Sequence, residues 1–211
     1  MKIKAILFDM DGVLIEAKDW HYEALNRALS LFGMPISRFD HLTTFDGLPT
    51  KKKLEFLTLE RGLSPQLHGF LNELKQKYTM EIIHTHCKPF FVHEFMMSRF
   101  SAAGILTAVC SNSIRATVET MMDKAALSNY LDLMISNEDV SNGKPDPEMY
   151  LKAMDFFSLK PNECLIVEDN ENGIKAAKAS GGHLLVVKEI EDVNFTSISQ
   201  KIKLIESGVE L

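Results

Sequence analysis

The stretch Ile3-Lys4-Ala5-Ile6-Leu7-Phe8-Asp9-Met10-Asp11-Gly12 decides the fold. Its apolar residues run together without alternation and stop at two acids and a glycine. A short continuous run of this kind reads as a strand buried on both faces, followed by a loop. Comparable runs recur at 105–110, 131–135, 164–167 and 183–187. Helical patterns separate the later ones, at 114–122, 147–157 and 171–180. Strands alternating with helices predict βαβ units and a parallel sheet with helices on both faces. The predicted class is therefore α/β, a Rossmann-like doubly wound core.

Residues 17–86 break this rhythm. Trp20, Ala24, Leu25, Ala28, Leu29 and Phe32 recur at helical spacing, and Gly33 with Pro35 ends that helix. Helical character continues at 54–59 and 67–78, with no convincing strand. The expected organisation is a core of residues 1–16 and 87–211 interrupted by an all-helical insertion at 17–86.

Composition bounds what such a chain can do. Its 211 residues carry 23 Lys plus Arg against 29 Asp plus Glu, a net charge of −6. That balance disfavours nucleic acid, whose phosphates need a basic footprint, and Lys51-Lys52-Lys53 is too short to supply one. The first apolar stretch is too short for a signal peptide. The longest uncharged run, residues 100–114, is too short and polar to span a bilayer. Cys87, Cys110 and Cys164 have no framework spacing and fit a reducing, cytoplasmic setting.

In open parallel sheets ligands bind at the carboxyl ends of strands. There the sequence places Asp9-x-Asp11, then Ser111-Asn112-Ser113, then Gly143-Lys144-Pro145-Asp146-Pro147, and finally Glu168-Asp169-Asn170. Carboxylates from two strand ends make a hard oxygen site suited to Mg²⁺. Without a cation they would repel one another and raise each other's pKa. Ser111 and the amides of a following helix can donate to an anion, and Lys144 adds positive charge. Together these groups point to phosphoryl transfer with a carboxylate nucleophile. Taken singly they also have plain structural readings. Asp9 and Asp11 could serve a turn, Lys144-Pro-Asp-Pro could open a helix, and Ser113 is expected to N-cap the helix that follows it.

Asp9-Met10-Asp11-Gly12-Val13-Leu14, Ser111-Asn112, Lys144-Pro145-Asp146-Pro147 and Glu168-Asp169 resemble motifs one to four of the haloacid dehalogenase superfamily, in order and across the whole chain. The helical insertion directly after the first motif resembles the first-position cap of the β-phosphoglucomutase/phosphatase-like branch. The resemblance implies that Asp9 attacks phosphorus and that Asp11 acts as general acid and then general base. It implies that Ser111, Asn112 and Lys144 hold the phosphoryl group. Asp9, the main-chain carbonyl of Asp11, and Asp169 would bind Mg²⁺, with Glu168 ligating directly or through water. In the cap, His21, Gly47 and Lys51 would face substrate, although a surface or hinge histidine accounts for His21 equally simply and a solvated helix face accounts for the lysines better. Two positions depart from the common pattern. Glu16-Ala17 replaces an acid followed by Ser or Thr, and Asn170 stands where Ser is common.

The implied function is a Mg²⁺-dependent phosphatase of a small phosphorylated metabolite, a sugar phosphate above all, with the cap closing over substrate. The chain would act as a monomer or weak homo-oligomer. A phosphomutase is the rival, weakened because the Gly-x-Ser-Arg of β-phosphoglucomutases has no matching arginine here. A dehalogenase would lack the acid at Asp11, and a non-catalytic sensor would not need every catalytic position. Residues 165–170 also resemble the first strand of a response-regulator receiver, but too little chain follows them for that fold. His84-x-His86-Cys87 has no second pair at zinc spacing and reads as linker.

Overall fold

The computed structural model describes residues 2–45 and 48–208. Strands β1 (Ala5–Phe8), β2 (Leu106–Cys110), β3 (Leu133–Ile135), β4 (Cys164–Glu168) and β5 (His183–Val186) form one parallel sheet in the order β3-β2-β1-β4-β5. All four residues of β1 are buried, as expected for the central strand of a sheet covered on both faces. The chain moves from β1 to one side through β2 and β3, then crosses to β4 and β5 on the other. β1 therefore borders the point where strand order reverses, the place where such sheets collect ligands.

The described residues divide into two compact units, 1–16 with 88–211, and 17–87. The second is helical, comprising α1 (Lys18–Ser30), the short α2 (Arg38–Asp40), a π turn at His41–Phe45, α3 (Thr50–Arg61) and α4 (His68–His86). Leu25, Ala28, Leu29, Leu54, Leu57 and Leu71 form its own core, so burial within the unit stabilises it. The sheet unit adds α5 (Phe91–Ala102), α6 (Arg115–Lys124), α7 (Glu148–Phe156), α8 (Glu171–Ser180) and α9 (Phe195–Ser207). Ala5, Leu7, Ala108 and Ile166 pack with Met149, Ala153, Ala176 and Ala177 in one buried cluster. Ala153, Ala176 and Ala177 let α7 and α8 lie close to the sheet. Met96, Met97, Met121 and Met122 are buried fillers.

Several local expectations change. α5 and α9 lie where the sequence reading placed no helix. In α5 the periodicity is masked because Phe91 and Phe95 stay exposed while Met96, Met97 and Phe100 are buried. α4 runs on to His86, so His84 and His86 are exposed residues of its last turn rather than linker. Ser113 does not cap α6. The helix begins after Ile114, and the Arg115 amide donates to Glu138 Oε2 at 2.6 Å. Among the described residues no helix is long and apolar enough to cross a membrane.

Candidate active site

Sheet register brings the polar clusters together. Phe8 stands opposite Val109 and Val167 on its two neighbours. The ladder runs one residue further: the Asp9 amide donates to Val167 O at 3.0 Å, and the Ser111 amide to Ile135 O at 2.9 Å. Asp9, Ser111 and Glu168 thus emerge side by side at the carboxyl edge. The chain then turns sharply, with the Leu14 and Ile15 amides both donating to Met10 O at 2.9 Å and Gly12 at φ 92°. That φ is favourable for glycine and strained for other residues, so the glycine after the two acids is a geometric requirement of the turn.

Lys144 is the centre of the cluster. Its ammonium is buried and donates at 2.6 Å to both Asp9 Oδ1 and Glu168 Oε1. Its backbone is clamped by Asn112, whose Oδ1 accepts from the Lys144 amide at 2.9 Å while Nδ2 donates to the Lys144 carbonyl at 3.1 Å. A Cβ at Gly143 would lie 2.6 Å from that Asn112 oxygen, so the preceding residue must be small. The Asn112 side chain therefore holds the lysine loop in place. Ser111 is buried, and its Oγ accepts from the Ser113 amide at 3.0 Å. Ser113 Oγ donates to Asp11 Oδ2 at 3.2 Å, the use the structure makes of this residue in place of capping.

Glu168 is fully buried and bonded on both oxygens. Oε1 accepts from Lys144 and from the Tyr150 hydroxyl at 2.5 Å, and Oε2 accepts from the Asp169 amide at 3.1 Å and Asn170 Nδ2 at 3.4 Å. Asn170 Oδ1 also accepts from the Gly173 amide at 3.0 Å, capping α8. Asparagine caps as well as serine does, so the departure at this position leaves the helix start intact. Ala17 has no capping side chain, and α1 starts without one.

One lysine among several carboxylates sets the electrostatics. Burial pushes the Asp9 carboxyl well above its usual range, and the charges of Glu168, Asp11 and Asp169 push it further against the attraction of Lys144. Burial alone would lower the Lys144 pKa, but Asp9 and Glu168 outweigh it and hold the ammonium above its ordinary value. Burial, with Glu168 next, raises the Tyr150 phenol, which stays a donor. The acidic excess calls for more positive charge than Lys144 supplies. Among the described residues Asp9, Glu168 and Asp169 each offer a carboxylate oxygen within 4.8 Å of the others. Such an all-oxygen set fits a hard divalent cation of the Mg²⁺ type. The Asp11 side chain is not one of the three.

The remaining candidates lie in the helical unit. His21 is half-buried on α1, with Nδ1 3.2 Å from the buried Lys75 Nζ of α4. Lys51 is exposed on α3, whereas Lys53 is buried, so the lysine run is not a uniformly solvated face. Gly47 lies outside the described residues. Tyr150 and Lys75 were not singled out from sequence; their positions follow from helix packing, and no local motif marks them.

The family model of the haloacid dehalogenase-like hydrolases matches residues 6–187. A phosphorylated carbohydrates phosphatase of Thermotoga maritima is 29% identical over 182 residues, covering 85% of this chain and 82% of its own. A phosphoglycolate phosphatase of Aquifex aeolicus is 25% identical over 215 residues, covering 98% and 99%. The structure of a β-phosphoglucomutase from Clostridium difficile superposes with a TM-score of 0.82 at 21% identity, covering 99% of this chain and all of that one, a likeness of fold.

Proposed function

The chain belongs to the haloacid dehalogenase-like hydrolases, and on that premise we propose that it is a Mg²⁺-dependent phosphatase of a small phosphomonoester, a phosphorylated sugar or related metabolite. The observation that carries this reading is the buried Lys144 bridge between Asp9 and Glu168, beside the carboxylate of Asp169.

In this reading an Asp9 carboxylate oxygen attacks phosphorus while the ester P–O bond breaks, and Asp11 gives its proton to the leaving oxygen. The product is an aspartyl phosphate and a free alcohol. Asp11, now a carboxylate, takes a proton from water as the water oxygen attacks phosphorus, and the Asp9 acyl phosphate bond breaks to release phosphate. Lys144 offsets charge on Asp9 and on the phosphoryl oxygens, while Asn112 keeps that lysine in register. Ser111 and the amides beside it donate to the phosphoryl group. Mg²⁺, held by Asp9, Asp169 and the Asp11 carbonyl, with Glu168 direct or through water, would neutralise the carboxylates and polarise the phosphoryl oxygens.

The test is phosphate release from p-nitrophenyl phosphate and from a panel of sugar phosphates. Turnover should require Mg²⁺, stop on chelation, and fall by at least about 10³-fold in Asp9→Asn, as expected when a nucleophile is lost. Near-normal hydrolysis by Asp9→Asn would sink the assignment. Phosphate release without a bisphosphate activator separates a phosphatase from a phosphomutase.

A further inference from the structure

Tyr150 has no part in the four motifs, yet its hydroxyl reaches the middle of the site. The residue sits in the first turn of α7, three positions after Pro147, and is fully buried. Its ring packs in the cluster of Ala5, Leu7, Cys110 and Ile166, a task phenylalanine would do equally well. The hydroxyl needs a separate account, because a buried polar group is costly unless it is bonded. That bond is the 2.5 Å donation to Glu168 Oε1, the same oxygen that accepts from Lys144 at 2.6 Å. Lys144 in turn lies 2.6 Å from Asp9 Oδ1. Tyr150, Glu168, Lys144 and Asp9 form one unbroken chain of hydrogen bonds. On the far side of Glu168 a Cβ at Gly173 would overlap the carboxylate, so backbone closes that direction.

We propose that Tyr150 is a positioning residue, whose hydroxyl fixes the rotation of the Glu168 carboxylate and, through the shared oxygen, the placing of Lys144 between Glu168 and Asp9. The inference rests on the reading of this site as a metal-dependent phosphatase centre. Without the hydroxyl, Oε1 keeps only Lys144 as donor. The carboxylate then turns toward the lysine, Lys144 shifts away from Asp9, and the oxygen offered beside Asp169 moves with it. Partners of this kind behind metal-binding carboxylates are worth about 10- to 100-fold in metal affinity or activity.

Tyr150→Phe in the full chain removes the hydroxyl and keeps the ring. Mn²⁺ binding to the substrate-free protein, followed by electron paramagnetic resonance, should weaken about 10-fold or more, with kcat for p-nitrophenyl phosphate falling about as far and KM staying within about twofold. A hydroxyl with a merely structural role would lower the thermal midpoint and leave Mn²⁺ affinity and kcat of the folded variant unchanged, and that result overturns the proposal. In a Glu168→Gln background the same substitution should have little further effect on Mn²⁺ affinity, and an undiminished second loss also overturns it. Failure of the wild type to bind Mn²⁺, or full activity in Asp9→Asn, would instead overturn the underlying site.

Discussion

A methyl group at Gly173 would occupy the volume of the Glu168 carboxylate, which makes this glycine a condition of the site rather than a weak point in α8. Its amide is also the one that Asn170 caps. Gly173→Ala forces the carboxylate or the helix to move, and overpacking of this kind costs about 1–3 kcal/mol. The expected result is a lower urea midpoint together with weakened Mn²⁺ binding; a variant with wild-type values for both would contradict the packing described. Glu168, Asp169 and Asn170 were legible as polar residues after a strand. The need for Gly173 was not, because its reason is a carboxylate five residues earlier that meets it only when β4 and α8 pack.

Among the elements, α6 shows what local patterns miss. Ser113 has the composition of an N-cap, but its hydroxyl goes to Asp11, and the first turn of α6 is served by the 136–139 turn instead. Arg115 also pairs with Asp139 at 2.5 Å, and Asp139 accepts from the Ser136 amide at 2.8 Å and hydroxyl at 2.7 Å. Burial opposes ionisation of Asp139, but Arg115 and Ser136 outweigh it and hold the carboxyl at about 2, below its usual 3.8. A depressed folded pKa gives stability that is present above about pH 4 and fades as pH falls toward 2. Asp139→Asn should therefore cost about 1 kcal/mol at neutral pH, the usual worth of a cap discounted for partial exposure. The difference from wild type in urea midpoint should shrink below pH 4. A difference independent of pH would show that the charge plays no part. Of the helices that sequence periodicity missed, α5 leaves Phe91 and Phe95 exposed, so its faces do not separate cleanly, whereas α9 buries Ile198 and Ile202 one turn apart.

Across the whole molecule, Cys110 and Cys164 report on opening of the sheet unit. Cys87, Cys110 and Cys164 are free and buried. Burial pushes the Cys110 thiol up to about 12 and the Cys164 thiol up to about 11, so neither is a thiolate in the native state at neutral pH. Alkylation of these two by iodoacetamide should follow unfolding, with rates that rise with urea as the folded population falls. Rapid labelling of both in native buffer would be inconsistent with this burial. The parallel sheet, the order of the four clusters and a helical interruption after the first strand were all readable from apolar runs and acid-rich strand ends, since period and punctuation are local properties of a chain. So were Asp9, Asp11, Ser111, Lys144, Glu168 and Asp169. Tertiary structure alone decided that Asn112 clamps Lys144, that Ser113 bonds Asp11, that Glu138 serves α6 and that Tyr150 bonds Glu168. Each of the four is a hydrogen bond between residues at least 18 positions apart. Their partners are set by strand register and by helices packed on the sheet, geometry that no local stretch of sequence contains.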